Sequence, residues 1–285
     1  MRNLLFLFSI LIISSCTKID DVIVNDNILP PDYTIENTTI DHYINKLYIS
    51  TIGREPTEIE FTSDFSVLRE SNLGQESREI VIDGILNKEE YNNNLFKLES
   101  EHLLLGLDTA DINQNIHVLT VLLTTAHGLD SIYFVENLEK MLKLQEVLPG
   151  LGDGTISNME MHKRMVNNNM YDEINMGTEN FVISMFQSFF GRYPTTTELE
   201  NGKLMVNDNN ASVFFIPGNG KEDFINIFIE SDEYYTGQTK ILFNRYLFRD
   251  PNSEESVNYS LDYINSQNYK LLQRRILSTN EFIGI

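Results

Sequence analysis

The stretch Leu47-Tyr48-Ile49-Ser50-Thr51-Ile52-Gly53-Arg54-Glu55-Pro56-Thr57-Glu58-Ile59-Glu60 decides the fold, because its outline is written twice more. The second version has Met185-Phe186, then Gly191-Arg192-Tyr193-Pro194-Thr195 and Glu198. The third has Leu242-Phe243, then Phe248-Arg249-Asp250-Pro251-Asn252 and Glu255. Ahead of the first version, apolar residues fall at Ile40, Tyr43, Ile44, Leu47, Tyr48 and Ile52, the i, i+3, i+4, i+7 spacing of one helical face. Val182, Met185, Phe186, Phe189 and Phe190 repeat it, as do Leu242, Phe243, Tyr246 and Leu247. Gly53 and Gly191 stand where such a helix should stop, since glycine enters the left-handed C-cap conformation without steric cost. Phe248 takes that place in the third version and makes its stop less standard. Proline then blocks continuation. Thr57-x-x-Glu60, Thr195-x-x-Glu198 and Asn252-x-x-Glu255 read as capping boxes opening the next helix, each cap contributing about 0.5–2 kcal/mol. The expected fold class is all-α, built of three helix–turn–helix repeats.

Each version closes on an acidic-aromatic signature after an apolar pair. These are Ile85-Leu86 with Glu89-Glu90-Tyr91, Phe228-Ile229 with Asp232-Glu233-Tyr234, and Ile276-Leu277 with Asn280-Glu281-Phe282. Capping leaves Arg54, Arg192 and Arg249 unexplained. A forked guanidinium suits a turn in which carbonyls or the closing Glu90, Glu233 and Glu281 need a partner, so these are read as structural arginines. The functional alternative is anion binding, for example of carboxylated glycans. The pattern resembles the short helical repeat of unknown function found in bacterial surface and secreted proteins. It is also similar to a segment of phycobilisome linker domains and to planctomycete-type domains that accompany cytochrome c modules. The resemblance covers about residues 40–95 and 178–284, and implies a non-catalytic helical module used in assembly or attachment, with no catalytic residues to carry over. The third glycine is missing, and Asn87 stands where the other copies offer Ser231 or Ser278.

The first residues read as export machinery. Arg2, the apolar run Leu4–Ile13 and Ser14-Ser15 ahead of Cys16 have the layout of a secretory signal peptide over 1–15. Ile13-Ser14-Ser15-Cys16 resembles the lipobox of bacterial lipoproteins, which implies acylation at Cys16, the sole cysteine. Thr17 in place of an inner-membrane retention aspartate points to the outer membrane. Lys18-Ile19-Asp20-Asp21 resembles the acidic export signal of surface-displayed lipoproteins in Bacteroidota. Residues 16–37, with Pro30-Pro31 and no sustained periodicity, are expected to form a lipidated tether. Beyond it, the expected division is an N-terminal helical domain over 38–148 with the first repeat, a loop and connecting helix over 149–176, and a C-terminal helical domain over 177–285 with the other two.

Composition narrows the partners. Forty-two acidic against 21 basic residues give a net charge of −21, which repels phosphate backbones; nucleic acid is not expected. Seventeen Phe and 13 Tyr without Trp mark a globular chain. Residues 95–148 are leucine-rich and read as further helices, and Pro149-Gly150-Leu151-Gly152-Asp153-Gly154 as a loop and domain boundary. Met159, Met161, His162, Met165, Met170 and Met176 form the densest soft-ligand cluster, making Met161, His162 and Met165 the weak metal candidates, for Cu(I). Methionine equally fills irregular cores, and no second histidine or cysteine accompanies them, so core packing is preferred and no cofactor is expected.

Asp111-x-Asn113-x-Asn115 opens like a calcium loop, but Ile116 and Leu122 occupy the glycine and bidentate-glutamate positions. No His-Glu-x-x-His pair, Gly-x-Ser-x-Gly elbow or Cys-x-x-Cys-His motif occurs. Asp108-Thr109-Ala110 and Asp130-Ser131-Ile132 resemble a Bacteroidota O-glycosylation sequon, and read equally as helix caps. The expected function is that of an outer-membrane lipoprotein, held by its N-terminal lipid, that binds or assembles with another envelope protein. A glycan- or peptide-binding lipoprotein of an uptake system is the first alternative and a redox or metal-handling accessory the second.

Overall fold

The computed structural model describes residues 35–285; the expected signal peptide, Cys16 and the tether up to residue 34 lie outside the described residues. The stretch around the first Gly-Arg-x-Pro turn folds as α1 (Asn37–Ile52), α2 (Glu58–Glu70), α3 (Gln75–Leu86) and α4 (Glu89–Leu103). The middle supplies α5 (Thr109–Leu123), α6 (Leu129–Gln145), α7 (Val147–Asp153), α8 (Asn158–Val166) and α9 (Asn169–Ile174). Then come α10 (Thr178–Phe190), α11 (Thr196–Val206), a hairpin of β1 (Ala211–Val213) and β2 (Ile216–Gly218), and α12 (Lys221–Ile229). The chain continues as α13 (Asp232–Leu247), α14 (Ser253–Ser266), α15 (Tyr269–Leu277) and α16 (Asn280–Ile283). The fold is mostly helical, as the periodicity requires.

The turns carry out the chemistry read from their residues. Gly53 and Gly191 close α1 and α10 in the left-handed conformation, and Phe248 closes α13 in the same way at φ 56°. Thr57, Thr195 and Asn252 each accept from the N–H three residues on, while Glu60, Glu198 and Glu255 reach back to the cap N–H. The apolar faces meet in one core. Tyr43, Leu47, Phe186, Phe189, Phe228, Leu242 and Phe282 are all buried in it.

Two expectations are corrected. Residues 35–285 form one compact unit, so 38–148 and 177–285 are not separate bodies. The reason is packing between distant segments: the Tyr43 hydroxyl donates to the Leu277 carbonyl (3.1 Å), Lys46 to the Phe282 carbonyl (2.7 Å), and Tyr91 to Gln273 (2.5 Å). The stretch from Pro149 is not a loop, since α7 runs through it to Asp153. Pro149 is the third residue of that helix, where the missing N–H has no intrahelical partner to lose. Gly150 is needed for space, because a Cβ there would lie 2.5 Å from the Ile156 side chain.

The small sheet was not legible in the sequence. β1 and β2 pair antiparallel with Val213 opposite Ile216, leaving Phe214 and Phe215 as a two-residue turn with φ of 52° and 65°. Positive φ at both positions defines the type I′ turn, which favours Asn-Gly. Phe214 tucks against Phe186, Phe190 and Phe228. Phe215 is fully exposed, at 102 %, and Phe248, also left-handed, is 83 % exposed.

A bulky residue in this backbone region costs about 1–2 kcal/mol, and neither exposed ring recovers much of it by burial. Phe248→Gly and Phe215→Gly are each expected to raise stability by about 1 kcal/mol, read as a higher urea midpoint. Gly237→Ala is expected to lower it by more than about 3 kcal/mol, because the new Cβ would overlap the Phe189 carbonyl oxygen where α13 crosses α10.

Candidate functional site

The three arginines make the same set of bonds. Arg54 donates through Nη1 and Nη2 to Glu60 (2.8 and 2.9 Å), through Nε and Nη2 to Glu90 (3.0 and 2.7 Å), and through Nη1 to the Glu55 carbonyl (2.9 Å). Arg192 does so with Glu198, Glu233 and the Tyr193 carbonyl. Arg249 does so with Glu255, Glu281 and the Asp250 carbonyl. The closing glutamates were among the expected partners; the capping glutamates were not. One carboxylate oxygen of each capping glutamate accepts both from the arginine and from the cap N–H. Each guanidinium also lies over the second aromatic of its apolar pair, 5.8 Å from Tyr48, 4.8 Å from Phe186 and 5.3 Å from Phe243, within cation–π range. With all five donors spoken for, these arginines have little left for an outside anion.

A second constellation is buried. Glu99 on α4 accepts from His162 Nε2 on α8 (3.2 Å) and from Arg245 on α13 (3.1 Å). His162 is fully buried and Glu99 nearly so. The other ring nitrogen, Nδ1, meets the Tyr234 hydroxyl at 2.8 Å. Burial pushes the Glu99 carboxyl up, but bonds and charge from His162 and Arg245 outweigh it and hold the group below the usual carboxylate range. An ionised carboxylate only accepts, so Nε2 donates to Glu99, and Nδ1 shares the second hydrogen bond with the Tyr234 hydroxyl. Tyr246 and Tyr91 meet through Gln273 alongside (2.7 and 2.5 Å). Burial raises the Tyr91, Tyr234 and Tyr269 hydroxyls well above their ordinary range, so they remain protonated.

This explains the soft-ligand cluster. Met161 and Met165 are core residues, and Met176 is 75 % exposed, away from them. Both nitrogens of His162 are occupied, so a copper ion would have to break the bonds to Glu99 and Tyr234. Among the described residues no group of three or more His, Cys, Asp or Glu is placed to hold a metal. His42, His102, His117 and His127 are exposed and scattered over α1, α4, α5 and the turn before α6. The chain matches no family model, no curated protein and no solved structure.

Concave surface offers no reacting constellation at these residues. A cleft of about 430 Å³ between α6, α8 and α12 is lined by Glu136, Lys140, Lys143, Lys163, Arg164 and Glu222. Arg164 is consumed by Glu160, Glu146 and the Lys143 carbonyl, and Lys163 by Glu230. None of Glu99, His162, Tyr234 or Arg245 reaches it, and no aromatic ring lines it for sugar stacking. What departs from ordinary surface chemistry is apolar: the strained, solvent-facing Phe215 and Phe248, and exposed side chains on α5 and α6.

Two measurements follow from these bonds. The Glu198 carboxyl is held down to about 2 by the Arg192 guanidinium, and Glu60, Glu255 and Glu281 are lowered by Arg54 and Arg249. Their folded pKa values lie below the unfolded value of about 4.3, so the unfolded chain binds more protons in between. Stability is full above roughly pH 5 and is lost as pH falls toward 2; urea midpoints across that range should drop, and less so in Arg192→Met. Glu99→Leu strands the buried His162 and the half-buried Arg245 and is expected to cost about 3 kcal/mol, with Glu99→Leu/Arg245→Leu recovering part of the loss in a double-mutant cycle.

Proposed function

We propose that this chain is an outer-membrane lipoprotein, anchored through Cys16, whose helical repeats form a non-catalytic binding or assembly module for another envelope protein. The observation that carries the reading is where local rules are broken. Left-handed non-glycine backbone occurs at eight described positions, from the buried Leu73 to the polar Asn72, Asp208 and Gln267, and at Phe215 and Phe248 it holds a large apolar ring in solvent, a combination that suits a functional position. The titratable network of buried Glu99 and His162 with half-buried Arg245 is bonded within the fold instead. Exposed aromatics held rigidly are interface chemistry; buried, satisfied ion pairs are fold chemistry.

The repeat reading extends to the middle of the chain. α4 ends with Leu105 and Gly106 at positive φ, the Gly106 N–H reaching back to the Ser100 carbonyl (3.0 Å). Asp108 and Asp111 then form a capping box that opens α5. Asn168 caps α9 at the Tyr171 N–H as Ser231 caps α13 at Tyr234 and Thr279 caps α16 at Phe282. α8, α12 and α15, each of nine residues, stand before these caps. On this reading four units share their helices end to end, α4 closing the first and opening the second, and α13 joining the last two. The second unit has lost its arginine and proline and gained α6 and α7. A unit released from the common turn is the natural place for a specialised surface.

Two tests address the two halves of the proposal. Labelled palmitate should enter the full chain and be absent from Cys16→Ala; label persisting in the variant would remove the anchor at this cysteine. Full-length lipoprotein purified from detergent-solubilised envelopes should bring down an equimolar envelope protein, with Phe215→Asn retaining at most about a tenth of it. Recovery of the lipoprotein alone under mild conditions would count against the binding role.

A further inference from the structure

α5 and α6 pack chiefly on each other. Only Ile112 and Leu119 of α5 are fully buried, and on α6 only Asn137, Met141 and Leu144, all toward its C-terminal half. The distal half of the hairpin therefore stands away from the core. Beside polar Thr120, Thr124 and Asp130 it exposes two sets of apolar side chains: Val118, Val121 and Leu122 on α5, and Leu129, Ile132 and Tyr133 on α6, each between 40 % and 82 % exposed. Both sets have i, i+3, i+4 spacing, the stripe by which one helix packs on another. Among the described residues neither stripe has a covering helix.

Charge marks the same place. Residues 112–129 contain no Asp, Glu, Lys or Arg, in a chain of net charge −21. Two such chains repel at most approaches, and this uncharged stretch is where they meet with the fewest carboxylates, Asp130 and Glu136 standing at its edge. The absence of cations also removes the usual attraction to anionic headgroups. Helical stripes on both arms suit a partner that supplies two further helices, and a second copy of the hairpin does so, giving a four-helix bundle. The six side chains expose on the order of 600 Å², close to the ~800 Å² per partner of a standard interface. Such a patch is at the top of the range for a monomer.

We infer that the distal half of the α5–α6 hairpin is a self-association surface, through which two copies of this chain pair as an apolar four-helix bundle. This goes beyond the proposed capture of an envelope protein and does not depend on it. Because the contact is apolar between acidic bodies, added salt strengthens it by screening the repulsion.

Residues 35–285 carry their own core and contain no cysteine, which makes them suitable for the test. Sedimentation velocity at tens of micromolar should give a dimer that tightens with salt. Val121→Asp/Ile132→Asp should weaken it at least about tenfold with the circular dichroism spectrum unchanged, while Phe215→Asp leaves it intact. Should the double variant unfold, cysteine placement gives an independent reading: Leu129→Cys should oxidise to a disulfide-linked dimer, and Ile59→Cys, exposed on α2, should not. A monomer at these concentrations overturns the inference, as does a dimer indifferent to Val121→Asp/Ile132→Asp, or equal crosslinking at both cysteines. A monomer that floats with phosphatidylcholine vesicles overturns it in favour of lipid as the occupant.

Discussion

A guanidinium held between two helix starts is the constraint on which the rest of the fold depends. At each of the three turns, Arg54, Arg192 or Arg249 binds the carboxylate that caps the next helix and the carboxylate in the first turn of the closing helix. Acidic side chains at helix N-termini already complement the helix dipole. The arginine adds geometry, since its fork fixes the distance and angle between two helix ends. Exposure of about a third of each arginine side chain keeps the energy modest through solvent screening. Its value is in registering α2 against α4, α11 against α13 and α14 against α16, so that the apolar faces arrive aligned.

The legible part of this fold is its punctuation. Gly53, Gly191 and the Thr-x-x-Glu and Asn-x-x-Glu boxes act within a few residues of themselves, and so can be read one segment at a time. The double use of Glu60, Glu198 and Glu255 is harder to see, because a capping box looks complete without the arginine. Phe214-Phe215 contradicts the residue preference of the turn it makes, and the hairpin is hidden for that reason. The capping box of Asp108 and Asp111 carries no arginine or proline beside it, so nothing in the sequence ties that turn to the other three. Pro149 misled in the other direction, as a proline near a helix start is no breaker.

The buried network illustrates a different limit. Glu99, His162 and Arg245 come from three helices, with 63 residues between the first two and 146 between Glu99 and Arg245. In sequence each stands among other charged and polar residues of its helix, with nothing to say that they share a site. Together they neutralise a carboxylate where α4, α8 and α13 meet, linking the middle of the chain to its last repeat. Replacing such a network with apolar residues can raise stability, so its presence is better understood as fixing which helices pair than as strengthening the core.

The contacts of α1 with the far end of the chain bear on how the protein comes to be folded. Tyr43 and Lys46 are satisfied by the Leu277 and Phe282 carbonyls, more than two hundred residues away. Such closures pay their loop entropy before they return any contact energy, which slows folding. A chain delivered N-terminus first across a membrane would present α1 long before the partners of its buried face exist. On any chain that emerges N-terminus first, this helix waits with its apolar face uncovered until the last has emerged, the interval in which it is most open to wrong partners.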